Sequence, residues 1–376
     1  MTTGFPVAQP ATTDSLSSRT TPAWKVPEIM ATLGPTLEKQ DDIRQAIEAG
    51  ATWVRLPCGY RQRPHLENAR TAQAAARGAG QTIQLLLDLP SSRPRTGNMA
   101  ELLLATGDKV VFWDPQDSDA PAKNCAAQVP LPGLAEVMGK LAPSNRIWFC
   151  DGRLNFVVDE IRGKFVAAHL VGGAIPLKAS NSIFLPDSPS GFTVITPSDQ
   201  SLLADFAAAD ITPDWVALSL ISSAADVAIG RAETRKHFTK TVRVMAKFET
   251  VASVENADAI IAAADAIMVA RGDLGLAVGF TRLPEIQDQL VAAARRAGKT
   301  VVVATQILET FAATGLPQRA ELSDLSLMAR QRADVIMLAK ETVFSPRPLA
   351  CIQLANEVLT HETRRFEQAY GTQCPL

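Results

Sequence analysis

Short apolar runs alternate with amphipathic stretches over most of the chain. Each run has the length of a strand buried on both faces, and each stretch between runs has the periodicity of a helix with one apolar face. The eight apolar runs lie at residues 27–34, 51–56, 81–89, 214–220, 241–248, 264–270, 299–305 and 333–339. Regular alternation of strands and helices predicts βαβ units, and eight such units predict a closed TIM barrel.

The alternation stops between residues 98 and 194, where Pro and Gly are common and β-like runs such as DKVVFW and KFVAAHLV recur. This change predicts an all-β lid domain inserted after the third strand. The predicted division is a disordered N-terminal tail at 1–24, the barrel at 25–97 and 195–365, the lid domain at 98–194 and a C-terminal tail at 366–376. The last helix is expected to end near Arg365.

Charged side chains gather where the predicted strands end. Lys247 and Glu249 are two residues apart on one strand, so their side chains point to the same face. Asp273 follows the next strand, in a segment whose glycines let the backbone approach a ligand. A lysine flanked by two carboxylates suits a divalent metal with oxygen ligands, beside a positive charge that faces an oxyanion or a transferring phosphate. The same three residues could instead form a buried structural ion pair.

The position of these residues favours a functional site over a structural ion pair, because a TIM barrel carries its chemistry at the carboxyl ends of its strands. Thr305 falls at another of these ends. We therefore expect the active site at this face of the barrel.

The composition limits the partners. The 37 basic and 39 acidic residues nearly cancel, which gives no reason to expect nucleic acid or an anionic membrane and favours a small-molecule substrate. The N-terminal stretch has neither a long apolar core nor a positive charge cluster, and the five cysteines are scattered. These features predict a cytoplasmic protein with reduced thiols.

Seven motifs along the predicted barrel closely resemble those of pyruvate kinase, and they occur in that family's order. They are TLGP (32–35), LLLDLPSSRPRTG (85–97), AKFET (246–250), MVARGDLG (268–275), ATQILET (304–310), LPQRAELSD (316–324) and IMLAKET (336–342). The segments CDGRLNFVV (150–158) and GGAIPLKASNSIFLPD (172–187) match the family's lid domain loosely. The resemblance implies a TIM barrel with a lid domain.

The resemblance also implies phosphoryl transfer between phosphoenolpyruvate and ADP with Mg²⁺ or Mn²⁺. On the family's pattern, Glu249 and Asp273 would bind the divalent metal, and Lys247 and Arg55 would neutralise the transferring phosphoryl group. The substrate carboxylate would bind the backbone N–H groups and the hydroxyl of three residues, which are Gly272, Asp273 and Thr305.

The chain departs from the family at the potassium site. Pro57 and Gly59 stand where the family has the Asn and Ser whose side-chain oxygens hold the monovalent cation. Arg93 stands at the position of an acidic Glu in the third-strand motif. A guanidinium stays protonated and suits phosphate geometry, so Arg93 is predicted to supply the charge of the missing ion. We therefore expect that potassium is not required.

The nucleotide side of the site also differs. Tyr60 replaces the family's His, and Leu89 and Pro90 replace its Thr and Lys. Arg95 and Lys178 are the residues that still match nucleotide-side cations, and Tyr60 could stack on a base or simply pack. Beyond this site, Ser222 and Ala277 replace an Arg and a Glu of the family's pattern.

Three functions remain open. The first is a pyruvate kinase-like phosphotransferase. The second is metal-dependent enolate chemistry without nucleotide, such as decarboxylation or carbon–carbon cleavage of pyruvate, oxaloacetate or a related 2-oxo acid. The third is a catalytically weak homologue that binds or regulates. The chain stops before the family's C-terminal effector domain, so we expect no effector control through that domain and a homodimer instead of a tetramer.

Overall fold

The structure, a computed structural model, describes residues 24–60, 64–117, 119, 127–187 and 192–371. The predicted N-terminal tail lies outside the described residues except for Trp24, and so do residues 372–376 of the predicted C-terminal tail.

The strands follow each other in two groups that flank the lid insertion. In chain order they are β1 Glu28–Thr32, β2 Ala51–Pro57, β3 Gln84–Leu89, β4 Lys109–Trp113, β5 Ala127–Pro130, β6 Arg146–Phe149, β7 Leu154–Arg162, β8 Phe165–Gly172, β9 Ile183–Phe184, β10 Trp215–Leu218, β11 Arg243–Phe248, β12 Ala266–Ala270, β13 Thr300–Ala304 and β14 Val335–Leu338.

The helices lie mostly between the strands of the first and last groups. They are α1 Gln40–Glu48, α2 His65–Gly78, α3 Leu134–Val137, α4 Pro197–Ala208, α5 Ala224–His237, α6 Val251–Glu255, α7 Ala257–Ala263, α8 Arg271–Val278, α9 Leu283–Arg296, α10 Glu309–Thr314, α11 Arg319–Gln331, α12 Lys340–Val343 and α13 Pro348–Tyr370, with a 3₁₀ turn at Met138–Lys140.

Eight parallel strands close into a barrel in the order β1, β14, β13, β12, β11, β10, β3, β2. The other six form one sheet in the order β5, β4, β8, β7, β6, β9, in which β4 and β5 pair in parallel and the remaining pairs are antiparallel. This lid domain follows β3 in the chain. The predicted TIM barrel with an inserted β domain is therefore confirmed, although the short helix α3 departs from the predicted all-β lid.

Two apolar layers hold the barrel together. Met245 points into the barrel interior and packs with residues such as Met30 and Trp215, whereas Val244 and Ala246 point outward to the helices. This alternation is the two-residue period of a strand. It carries Lys247 to the interior side of β11 at its carboxyl end, which is where the site forms.

Two predicted boundaries need correction. The last helix continues past Arg365 to Tyr370, so the predicted C-terminal tail is wrong in its first residues. Trp24 was assigned to the disordered N-terminal tail, but it is buried, stacks on Phe366 with ring centroids 5.7 Å apart, and donates from Nε1 to Gly371 O at 2.6 Å. The aromatic contact joins Trp24 to the C-terminal part of α13.

The segment after β12 is predicted to be a glycine-rich strand end. In the structure it forms the helix α8 directly. The first backbone N–H groups of a helix lack partners within it, and the Gly272 N–H of α8 donates to Thr305 Oγ1. Of the described helices, none combines the length and apolar composition that crossing a membrane requires.

Candidate active site

Lys247 is the centre of a charge cluster at the barrel mouth. Its Nζ lies 3.0 Å from Asp88 Oδ1, 2.9 Å from Glu249 Oε1 and 2.9 Å from Ser219 Oγ. The side chain is only 9% exposed. Three oxygens on three strand ends therefore fix one ammonium group in place, and Lys247 and Glu249 share a face as predicted.

Asp88 joins this ammonium to a guanidinium. Its Oδ2 accepts from Arg55 Nε at 2.8 Å and lies 2.7 Å from Arg55 Nη2. Arg55 Nη1 also donates to Thr32 Oγ1 at 3.3 Å. The two cations are thus held on opposite oxygens of one buried carboxylate, and the predicted phosphoryl-binding residues, Lys247 and Arg55, lie together.

The pKa values of the buried pair reflect this arrangement. Burial alone would raise the pKa of Asp88, but the charges of Lys247 and Arg55 outweigh burial and lower it. Burial alone would lower the pKa of Lys247, but Asp88 and Glu249 outweigh it and raise that pKa. Both groups are therefore charged at neutral pH.

Arg93 lies between the two predicted metal ligands. Its Nη1 donates to Asp273 Oδ2 at 2.7 Å, and its Nη2 is 3.6 Å from Glu249 Oε2. Burial alone would lower the pKa of this guanidinium, but the charges of Asp273 and Glu249 raise it. Arg93 Nη2 is buried and has no hydrogen-bond partner among the described residues.

The predicted divalent-metal site does not fit a metal in this arrangement. Glu249 Oε1 is paired with Lys247, and Glu249 Oε2 accepts from the backbone N–H of Leu220 at 3.0 Å. Arg93 occupies Asp273 Oδ2. Within the described part of the chain, no group of three or more His, Cys, Asp or Glu side chains could hold a metal ion. Mg²⁺ requires oxygens at about 2.0–2.1 Å in octahedral geometry, and in this arrangement Arg93 and Lys247 already occupy the carboxylate oxygens Asp273 Oδ2 and Glu249 Oε1.

Gly272 and Thr305 meet on the other side of the mouth. The Gly272 N–H donates to Thr305 Oγ1 at 2.8 Å, and that hydroxyl donates to Ala304 O at 2.6 Å. Thr305 and Gln306 have positive φ angles of 74° and 54°, and Arg271 binds both of their carbonyls. The predicted carboxylate-binding groups are therefore adjacent, but they bond each other, so a substrate carboxylate would have to replace the Gly272 to Thr305 bond.

Of the three predicted nucleotide-binding residues, two line the cavity that contains Lys247 and one does not. The Arg95 guanidinium lies 5.6 Å from the centre of the Tyr60 ring, and both residues line the cavity that contains Lys247. Lys178 does not line that cavity; its Nζ pairs with Glu101 at 3.1 Å, and its side chain is 57% exposed. Arg95 and Tyr60 therefore meet at the site, whereas the Lys178 ammonium faces away from it.

Arg95 also fills the space beside Gly59. A Cβ on Gly59 would lie 2.8 Å from Arg95 Nη2, so the absence of a side chain permits this close approach. The guanidinium nearest the altered potassium-site residue is thus that of Arg95, whereas Arg93 contacts the predicted metal ligands. The prediction that Arg93 replaces potassium stays a prediction.

Three site residues were not among the predicted ones: Asp88, Ser219 and Lys340. Ser219 donates from Oγ to Leu89 O at 2.7 Å and contacts Lys247, and it could have been found because it directly follows the apolar run of β10. Lys340 follows β14 and pairs with Asp151 of the lid domain at 2.5 Å and with Glu309 at 3.3 Å. Neither partner is near Lys340 in sequence, so no local pattern could identify this contact.

Two adjoining cavities flank the cluster. One, of about 210 Å³, reaches toward Tyr60 and Arg95, and the other, of about 120 Å³, reaches toward Gly272 and Thr305. Arg55, Asp88, Lys247, Glu249, Asp273 and Lys340 line both. Each cavity is smaller than the roughly 300–1,000 Å³ typical of pockets for drug-sized ligands. The two cavities therefore suit a small anion that places one of its groups in each.

Comparison with known proteins agrees with the motifs. Residues 24–352 match the profile of the pyruvate kinase barrel domain. A pyruvate kinase of Methylorubrum extorquens is 33% identical over 337 residues, which is 88% of this chain and 67% of that protein. One from Mycobacterium tuberculosis is 30% identical over 342 residues, covering 88% of this chain and 69% of that protein.

Solved structures share the fold. A crystal structure of Cryptosporidium parvum pyruvate kinase superposes with a TM-score of 0.82 at 23% identity, over 91% of this chain and 71% of that one. The same enzyme in complex with ADP gives 0.80 at 22% identity, over 94% and 69%. The resemblance predicted from the motifs is confirmed, and the chain belongs to the pyruvate kinase family.

Proposed function

We propose that this chain transfers a phosphoryl group between an enol phosphate of the phosphoenolpyruvate type and ADP at the barrel mouth. The observation that carries the proposal is the Lys247 ammonium, which Asp88, Glu249 and Ser219 hold at the junction of the two cavities. Phosphoryl transfer needs mainly positioning and charge stabilisation, and a fixed cation supplies both.

In this proposal, the phosphoryl group and the carboxylate of the substrate bind to different groups of residues. Lys247 and Arg55 neutralise the transferring phosphoryl group from the barrel wall. The substrate carboxylate binds at the N-terminus of α8, where the Gly272 N–H and the Thr305 hydroxyl exchange their mutual bond for bonds to the ligand. Helix N-termini favour anions because their N–H groups and dipole point toward the ligand.

ADP would enter from the side of Arg95 and Tyr60. The Cryptosporidium relative was crystallised with ADP, and here the cavity that contains Lys247 opens toward these two residues. Tyr60 offers an aromatic face and Arg95 a charge for a phosphate. The Arg95 Nε is buried without a hydrogen-bond partner in the described residues, which leaves a donor for a nucleotide oxygen.

The position of Lys178 favours a second candidate. Its ammonium pairs with Glu101 and lies outside the cavity, so one predicted nucleotide-binding charge is missing. Stabilisation of an enolate from oxaloacetate or a related 2-oxo acid needs Lys247 and the carboxylate-binding groups but no nucleotide.

A spectrophotometric assay separates the candidates. The chain is given phosphoenolpyruvate with and without ADP, each with Mg²⁺ and with a chelator, and is given oxaloacetate without nucleotide. Pyruvate that forms only with ADP supports the phosphotransferase. Consumption of oxaloacetate without nucleotide supports the second candidate, and no turnover with either substrate would leave the binding homologue.

The assembly of the chain stays a prediction. A twofold contact is the commonest closed symmetry, so we expect a homodimer. Light scattering on the purified chain measures its mass directly, and a stable tetramer would contradict this expectation.

A further inference from the structure

The Arg93 guanidinium bridges two carboxylates that stand on separate segments after neighbouring strands. Glu249 follows β11 and Asp273 follows β12, and Arg93 contacts Glu249 at 3.6 Å and Asp273 at 2.7 Å. A guanidinium presents its donors in a planar fork, so one side chain can face two anions at once. A cation thus already lies between the two carboxylates.

The backbone holds Arg93 in this position. Ser91 has a positive φ of 57°, which turns the chain sharply after β3. Ser92 then donates its N–H to Thr193 O at 3.0 Å and accepts the Thr193 N–H on its Oγ at 2.8 Å. Because the turn is fixed to the returning end of the lid insertion, Arg93 is placed by the chain path and by its own ion pairs.

The charges of the side chains that are joined by ion pairs in this cluster balance with Arg93 included. Three carboxylates, Asp88, Glu249 and Asp273, face three cations, Arg55, Arg93 and Lys247. A divalent cation added to this set would stand next to the Arg93 guanidinium among buried charges, where like charges repel strongly. The set therefore selects against a metal ion.

We propose that Arg93 takes the place of the divalent cation in this chain, and that its Nη2, which faces Glu249 at 3.6 Å without a hydrogen bond, donates to an oxygen of the acidic ligand directly. Nη2 is buried, lacks a hydrogen-bond partner among the described residues and belongs to a side chain that lines the cavity of Lys247 and Arg55. Arginine suits this task because it binds carboxylate and phosphate oxygens in two-point contacts. The ligand half of the inference rests on the proposed function, but the metal half does not.

The first test measures metal binding without any substrate. Mn²⁺ is titrated into the full chain and followed by the electron paramagnetic resonance signal of the free ion. The parent is expected to bind Mn²⁺ at least about tenfold more weakly than Arg93→Ala, because removal of the neighbouring positive charge frees both carboxylates.

Matched variants assign the site. Arg95→Ala removes a guanidinium two residues away that does not pair with Glu249 or Asp273, and it should gain no Mn²⁺ binding. Asp273→Asn in the Arg93→Ala background should abolish the gain. Arg93→Gln keeps a long polar side chain without charge and serves if Arg93→Ala does not fold.

The second test measures the ligand by thermal shift. Phosphoenolpyruvate is expected to raise the melting temperature of the parent equally with a chelator and with Mn²⁺, because a ligand that binds the folded state stabilises it. In Arg93→Ala the shift should appear only with Mn²⁺.

The outcomes distinguish the two proposals. A parent that binds one Mn²⁺ as tightly as Arg93→Ala overturns the replacement of the metal by Arg93. Tight binding of one Mn²⁺ by the parent overturns it even where no variant can be measured. A parent shift that disappears with the chelator overturns it as well. Absence of any shift with phosphoenolpyruvate, together with the expected Mn²⁺ pattern, supports the replacement and refutes the proposed substrate class.

Discussion

Substitution of Lys247 by methionine tests the centre of the charge cluster. Methionine keeps the unbranched apolar stem, so the change removes the ammonium and its contacts to Asp88, Glu249 and Ser219. Removal of one partner from a buried ion pair typically costs about 3–5 kcal/mol, because an uncompensated charge remains buried.

The structure places the expected cost at the lower end of that range. Asp88 keeps Arg55, whose Nη2 is 2.7 Å away. Glu249 keeps the Leu220 N–H at 3.0 Å and Arg93 at 3.6 Å. Neither carboxylate is left without a partner, so we expect a loss of about 3 kcal/mol in the free energy of unfolding.

Urea unfolding at neutral pH measures this loss, because the midpoint shifts at constant slope when only stability changes. The exposed Lys240 provides the matched control, and Lys240→Met should stay within about 0.5 kcal/mol of the parent. Turnover of Lys247→Met in the phosphoenolpyruvate assay should fall by about 10²–10³ or more, as for loss of one preorganised charge.

A double-mutant cycle with Asp88→Asn separates the direct interaction from general damage. The two changes should together cost less than their sum, by about 0.5–3 kcal/mol, because each removes the same ion pair. Additive costs, or a Lys247→Met variant with parental stability and near-parental turnover, would refute the assigned cluster.

Three further predictions address the surroundings of the cluster. Turnover should not require potassium, because neither Pro57 nor Gly59 offers a side-chain oxygen; strong activation of the parent by potassium over a tetraalkylammonium salt would contradict this. The folded pKa of Asp88 is lowered, so its stabilising contribution is complete above the unfolded value of about 3.9 and is lost as pH falls through the folded pKa. Urea unfolding from about pH 6 to pH 3 should therefore lose stability less steeply in Asp88→Asn than in the parent, and equal slopes would count against the pairing. Lys340→Ala should speed hydrogen exchange in the lid turn that carries Asp151, whereas Lys164→Ala, which breaks a pair within the lid domain, should not; unchanged exchange in Lys340→Ala would show that this pair does not hold the lid.

The barrel could be predicted from sequence because its strands are buried on both faces. All five residues of β12 are buried, as are those of β10, and such continuous apolar runs leave few alternatives. The two-residue period of β11 also placed Lys247 and Glu249 on one face correctly. The lid was harder, because its short strands β5 and β9 carry weak patterns and its helix α3 has only four residues.

Side-chain partners across the fold could not be predicted in the same way. The charge reversal at Arg93 is visible in the sequence, but its contact with Asp273 spans 180 residues and depends on the turn at Ser91. Helix ends met a similar limit: α13 reaches Tyr370 because Phe366 packs on Trp24, a contact between the two ends of the described chain. Local pattern gives the elements, whereas these contacts follow from the closed path of the chain.

The position of Arg93 also changes how the lost family residues fit together. Pro57 and Gly59 remove oxygens that would bind a monovalent cation, and Gly59 makes room for Arg95. Arg93 brings a second guanidinium to the carboxylates Glu249 and Asp273. Arg93 adds a charge beside buried carboxylates, whereas Pro57 and Gly59 differ from the family's residues only in lacking neutral side-chain oxygens. The proposed replacement puts guanidinium groups of the chain in the place of bound ions, so we expect Mn²⁺ binding and potassium dependence to be lost together in the parent.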